Sequence, residues 1–102
     1  MAEFTVSEVI DGDTFKVKGG WKWNQRSGDT VRASGYNTPE KGEPGYEEAK
    51  QKLKRLILNE KIEIKNAQTI DDWGRLVADV YYRGKNLAGY FFGYKTCFSR
   101  FL

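Results

Sequence analysis

Polar and apolar residues alternate through the first third of the chain in short runs, and each run stops at a turn signal. Phe4, Val6, Glu8 and Ile10 fall on one face of a strand that halts at Asp11-Gly12-Asp13. Residues 14–18 (TFKVK) alternate again. GGWKWNQRSG then offers three glycines among polar residues and reads as a hairpin connection, before residues 30–34 (TVRAS) resume a strand. These three segments predict a meander. After Tyr36-Asn37-Thr38-Pro39 the period changes from two to that of a helix, with Tyr46, Ala49, Leu53, Leu56 and Ile57 on one stripe. Glu47 and Glu48 lie in its first turn and Lys52, Lys54 and Arg55 later, the order that a helix dipole favours. Residues 61–66 (KIEIKN) and 76–82 (LVADVYY) read as two further strands around a polar loop, Asp71-Asp72-Trp73-Gly74-Arg75. Gly84 closes a turn, and residues 87–92 begin a second helix.

Five short strands within about 80 residues must avoid exposed edges, which would invite pairing with other chains. A small barrel with a helix over one end satisfies that demand. The expected class is therefore mainly β with α, an OB-fold: a five-stranded Greek-key barrel of antiparallel strands, a capping helix between strands 3 and 4, and a short or truncated C-terminal helix. With 102 residues and no internal repeat, one domain over residues 1–102 is expected. A chain of this size buries only about 60–70% of its unfolded surface, so function must sit on the outside of one modest core.

Composition narrows the chemistry. There is no histidine and only one cysteine, Cys97, so Ser-His-Asp triads, Cys-His dyads, histidine-ligated zinc and intrachain disulfides are all excluded. Carboxylates, arginines, hydroxyls and a hard metal ion are what remain. The net charge of +3 is small, but acidic residues gather in 1–15 and 37–49 while basic residues dominate 16–36, 50–65 and 81–102. Acidic clusters set among basic stretches suit a metal-holding pocket on a phosphate-attracting surface. No apolar run approaches the roughly 18 residues of a membrane span and the N-terminus is not a signal peptide, so no membrane partner is expected and a cytoplasmic setting is the default.

Three segments offer reactive groups. VIDGDT (residues 9–14) places two carboxylates around a glycine at a strand end. Arg32 on a strand is followed by Asn37-Thr38-Pro39-Glu40, a loop with an amide, a backbone carbonyl and a carboxylate. The loop at 71–75 ends in Arg75 beside an aromatic side chain. In this order and on these elements they resemble the staphylococcal nuclease (thermonuclease) family, whose pattern runs V-I-D-G-D-T, R-x4-D-T-P-E and D-x-Y-G-R. The Tyr46-Glu47-Glu48-Ala49 stretch also sits where that family begins a helix, and the resemblance spans residues 5 to about 85.

The resemblance implies a calcium-dependent nuclease that hydrolyses phosphodiester bonds of single- or double-stranded DNA and RNA with little sequence preference. By motif position Asp13 would ligate Ca2+ with the Thr38 carbonyl and the side chain of Asn37, and Asp11 would support the metal. Glu40 would hold or deprotonate the attacking water, and Arg32 and Arg75 would grip the phosphate. Calcium accepts such a mixed set because it takes six to eight hard oxygen ligands in flexible geometry. Two departures stand out: Asn37 replaces the family's second metal aspartate, and the chain ends at Leu102, short of the usual C-terminal helical segment. Trp73 in place of the motif tyrosine, with Trp21, Trp23 and Lys22 on the hairpin, is expected to contact nucleic acid by stacking and charge. Phe91, Phe92, Phe98 and Phe101 in the aromatic ending are expected to seek cover, through self-association or another partner. The alternative function is a non-catalytic nuclease-like OB-fold module that binds nucleic acid or a protein.

Overall fold

Which side chains enter the core follows from the alternation. In the computed structural model, which describes residues 2–91 and Tyr94, the elements run β1 (Ala2–Asp11), β2 (Thr14–Trp23), β3 (Arg26–Ala33), α1 (Tyr46–Ile57), β4 (Lys61–Ile70), β5 (Leu76–Tyr82), β6 (Lys85–Asn86) and α2 (Leu87–Tyr90). Val9 lies opposite Phe15 and Phe15 opposite Val31, while Ile64 lies opposite Val80. All five are buried, so the inward face of each strand supplies one layer of a common core. The sheet order is β3-β2-β1-β4-β5-β6, and β3 also pairs with β5, which closes five strands into a barrel. β6 adds two residues along β5.

α1 covers the barrel with a stripe of residues spaced four apart. Ala49, Leu53 and Ile57 are fully buried and Leu56 packs half-buried against the same core. The helix ends where the Leu58 amide bonds the Lys54 carbonyl, 3.1 Å, and the chain then ties to β1 through Asn59 N to the Val6 carbonyl, 2.9 Å, and Val6 N to the Glu60 carbonyl, 3.0 Å. These bonds fix the helix relative to the strand that leads into the Asp11-Gly12-Asp13 turn.

Three expectations need correction. The pairing that closes the barrel, β3 with β5, is parallel, so the strands are not all antiparallel. The GGWKWNQRSG segment is no loop: β2 and β3 extend through it and turn only at Asn24 and Gln25, whose φ values of 52° and 65° match the double left-handed turn that suits a two-residue hairpin. Trp21 drives this extension, packing so closely over Gly28 that a β-carbon there would lie 2.8 Å from the indole ring. β4 runs on to Ile70, past the expected Asn66. The expected short C-terminal helix is present as a single turn, capped by the Asn86 side chain accepting from the Ala88 amide, 2.9 Å.

Phe91, expected to seek a partner, is buried within this chain, 1% exposed. The expectations on Phe92, Phe98, Phe101 and Cys97 lie outside the described residues. Among the described residues, no helix is long and apolar enough to cross a membrane.

Leu53→Ala should cost about 2–5 kcal/mol in urea unfolding, because the buried side chain leaves a cavity between α1 and the barrel. Lys54→Ala, one residue away and exposed, should change stability by less than about 0.5 kcal/mol.

Candidate functional site

The turn between β1 and β2 is pressed against two other elements. A β-carbon on Gly12 would meet the Thr38 hydroxyl oxygen at 2.6 Å and the Ala49 methyl at 2.8 Å, so only glycine lets the turn sit against the 37–40 loop and α1. The Tyr36 hydroxyl donates to the Gly12 carbonyl, 3.0 Å, and the Tyr46 hydroxyl to the Ile10 carbonyl, 3.1 Å. Within the turn the Asp13 amide donates to Asp11 Oδ1, 3.2 Å, and the Thr14 hydroxyl donates to Asp13 Oδ1, 3.0 Å. Both flanking carboxylates are thereby held in place.

Arg32 reaches this turn from β3, where it lies opposite Thr14. One terminal nitrogen of its guanidinium donates to Asn37 Oδ1 and approaches Asp13 Oδ2 at 3.3 Å; the other donates to the backbone carbonyls of Ala33 and Tyr36, the latter at 3.2 Å. Arg75 comes from the loop before β5. Asp71 shapes that loop: its Oδ1 accepts from the amides of Trp73, 3.0 Å, and Arg75, 2.9 Å, while its Oδ2 accepts from Arg75 Nε, 2.6 Å. A terminal nitrogen of Arg75 also donates to the Thr14 hydroxyl, 3.2 Å. Thr14 therefore accepts from Arg75 and donates to Asp13, a single hydroxyl joining one arginine to the acidic turn.

A cleft of about 590 Å³ gathers these groups. Asp11, Asp13, Arg32, Asn37, Thr38, Glu40, Trp73 and Arg75 all line it. Eight of the eleven residues singled out from the sequence thus meet in one place. Trp21, Trp23 and Lys22 do not line it. Trp21 is buried, 3% exposed, with its indole N–H bonded to the Thr30 carbonyl at 2.9 Å, so stacking on a base is ruled out for it. Trp23 packs half-buried on the core, and Lys22 is exposed on the hairpin. Trp73 is 78% exposed, with the Arg75 guanidinium 5.2 Å from its ring centre.

Sequence reasoning passed over Thr14, Asp71, Lys41 and Glu43. Lys41 and Glu43 also line the cleft, and Glu43 accepts from the Glu40 amide at 2.7 Å. The signal for Asp71 was present, an aspartate opening a D-x-x-G turn, where its side chain commonly bonds backbone amides two residues on. Thr14 closes the VIDGDT motif, but only the structure shows its hydroxyl between Asp13 and Arg75.

Burial pushes the Asp13 carboxyl from its ordinary 3.8 up to about 6; the hydrogen bond and charge of Asp11 add to this, against the opposing pull of Arg32 and the Thr14 hydroxyl. Burial likewise pushes the Tyr36 hydroxyl well above its usual range, helped by the Asp13 charge. At Asp71 partial burial works upward, but the bonds from the Arg75 amide and side chain and the Trp73 amide outweigh it and hold the carboxyl below its usual range. Asp11 and Asp13 thus form a crowded pair whose repulsion a cation would relieve. With the Asn37 amide oxygen and the Thr38 carbonyl, the available donors are all hard oxygens, which fits a calcium-like ion. Among the described residues, no group of three or more acidic, histidine or cysteine side chains gathers as a metal site.

A family model described as staphylococcal nuclease homologue matches residues 30–91, more than half of the chain. The match covers Arg32, Asn37, Thr38, Glu40 and Arg75, and it begins after the Asp11-Gly12-Asp13 turn. No curated protein matches the chain.

The raised Asp13 carboxyl makes a pH-dependent statement about stability. The folded state holds this proton more tightly than the unfolded state, so the group's contribution is fully present below about pH 4 and lost as pH rises through about 6. Asp13→Asn mimics the protonated form. In chelator, its thermal midpoint should exceed that of the unaltered protein above pH 6 and converge with it near pH 4. Equal midpoints across that range would contradict the crowded-pair reading.

Proposed function

The chain belongs to the staphylococcal nuclease homologue family, and on that premise we propose that it is a calcium-dependent nuclease hydrolysing phosphodiester bonds of DNA, RNA or both. The observation that carries this reading is the convergence of Arg32, Arg75, Asp13 and Glu40 on one cleft. Hydrolysis needs an oriented water, neutralisation of the phosphate and stabilisation of the charge that grows on its equatorial oxygens. Arg75 is fixed by Asp71 through Nε and by Thr14 through one terminal nitrogen, which leaves its other terminal nitrogen without a protein partner among the described residues. That nitrogen is the donor available to a phosphate oxygen. Glu40, exposed and lining the cleft, would be the carboxylate that accepts a proton from water.

Asp13, Asn37, the Thr38 carbonyl oxygen and Asp11 would hold the ion, which when bound would supply positive charge at the phosphate and polarise a water. Trp73, exposed beside Arg75, offers a ring on which a base or sugar can stack, worth roughly 1–3 kcal/mol per base, and favours single-stranded or frayed substrates. Lys22 and the half-buried Trp23 would extend contact to the hairpin.

One observation favours the second reading, a nuclease-like module that binds nucleic acid or protein without cutting. Both terminal nitrogens of Arg32 already bond protein acceptors, one of them the amide that stands where the family has a carboxylate.

Cleavage of single-stranded DNA with calcium, with and without chelator, separates the two. Glu40→Gln should lower the rate by about 100-fold or more while leaving DNA binding intact. Equal rates, or no cleavage by either protein, would leave the binding module. Calcium affinity measured by calorimetry should fall as pH drops below about 6, because Asp13 must release its proton to bind the ion. Asn37→Asp, which restores a ligand charge, should tighten calcium binding by on the order of tenfold.

A further inference from the structure

Tyr36 touches three parts of the site at once. Its hydroxyl donates to the carbonyl of Gly12, the residue between the two aspartates, at 3.0 Å. Its own backbone carbonyl accepts from Arg32 at 3.2 Å, and its chain neighbour is Asn37. The side chain is 1% exposed, and its ring lies flat against Phe91, centroids 4.6 Å apart and planes 13° from parallel. Phe91 in turn meets Tyr94 at 5.4 Å, and the Lys52 ammonium of α1 sits 4.8 Å from the Phe91 ring centre.

This arrangement does more than fill the core. A buried phenylalanine at position 36 would keep the stack and nearly all of the apolar contact, yet the hydroxyl reaches one particular carbonyl in the acidic turn. The other restraints on the turn act on its flanks: the Asp13 amide bonds Asp11, the Thr14 hydroxyl and Arg32 hold the Asp13 carboxylate, the Ala33 amide bonds the Asp13 carbonyl at 2.9 Å, the Tyr46 hydroxyl bonds the Ile10 carbonyl, and Gly12 is seated closely on Thr38 and Ala49, whereas the Gly12 carbonyl is met by Tyr36. Without the tyrosine bond, the Gly12 carbonyl would be buried without that partner, a state that favours local rearrangement of the turn. Such a rearrangement moves Asp11 and Asp13 together.

We infer that Tyr36 is a positioning residue which, clamped by Phe91, fixes the Asp11-Gly12-Asp13 turn in the arrangement that binds the ion and aligns Arg32. The inference rests on the proposed nuclease reading, and its test has an arm that does not need that reading. Outer partners of this kind commonly set metal affinity by about 10- to 100-fold.

The test compares Tyr36→Phe, which removes one hydroxyl, with Val80→Ala, a fully buried barrel position, as a control for general destabilisation. In metal-free protein, hydrogen exchange of the Asp13 amide should speed up by about tenfold in Tyr36→Phe and stay unchanged in Val80→Ala when both are measured well below their melting temperatures. With calcium added, Tyr36→Phe should bind the ion about tenfold more weakly and lose kcat on single-stranded DNA with little change in KM. Exchange at Asp13 that is unaltered, or altered equally by the control, overturns the inference whatever calcium does. Faster exchange with calcium affinity and kcat as in the unaltered protein also overturns it. Faster exchange in a chain that itself binds no calcium overturns the nuclease reading and supports Tyr36 as the brace of the turn.

Discussion

The parallel pairing of β3 with β5 is the constraint on which the site depends. Val31 lies opposite Leu76, Arg32 opposite Val77 and Ala33 opposite Ala78. This short ladder closes the barrel and so removes the edges that a five-stranded open sheet would expose. The same ladder sets the residue after Arg75 beside the residue before Arg32. Two arginines far apart in sequence are thus delivered to one cleft by the bonds that complete the core. The helix supports the arrangement from the other side, because Ala49 packs against Gly12 at the acidic turn.

Electrostatics around that turn run against stability. Asp13 is 7% exposed, and its neighbour Asp11 is another carboxylate, so ionising Asp13 is opposed by both burial and like charge. Arg32 offsets this only in part, since the Asp13 carboxyl remains raised with the guanidinium 3.3 Å away. A site whose ionised form is disfavoured without a ligand is one in which a bound cation gains affinity from relieving the strain. Thr14 carries the effect outward: its one proton goes to Asp13 and its lone pair to Arg75, so a change at the aspartate is felt at the second arginine.

Much of this was legible in the sequence, because local rules governed it. Alternation marked the strands, and Ala49, Leu53 and Ile57 marked the buried stripe of α1. Motif spacing brought Asp13, Arg32, Asn37, Thr38, Glu40 and Arg75 together. What escaped depended on partners distant in sequence. The direction of the β3–β5 pairing is fixed by barrel closure, which no local pattern encodes. Trp21 looked like a surface aromatic among lysines, but its indole N–H meets the Thr30 carbonyl across the hairpin and its ring covers Gly28. Tyr36 falls at an unassigned position within the R-x4-D-T-P-E pattern, and Phe91 in an apolar ending. Their stacking joins positions separated by about half of the chain.

The two arginines, which the sequence presents as equivalent, are held in different ways. Arg75 is anchored through Nε and one terminal nitrogen, with the other terminal nitrogen open to the cleft among the described residues. Arg32 has both terminal nitrogens on protein acceptors, two of them the same Asp13 and Asn37 oxygens that an ion would take. A cation bound as proposed would therefore compete with the Arg32 guanidinium for one set of oxygens. Asn37 would shift that competition, since a neutral amide attracts both less strongly than a carboxylate would. On the proposed nuclease reading, the balance at this position, more than the number of retained motif residues, governs whether Arg32 serves a phosphate or the protein.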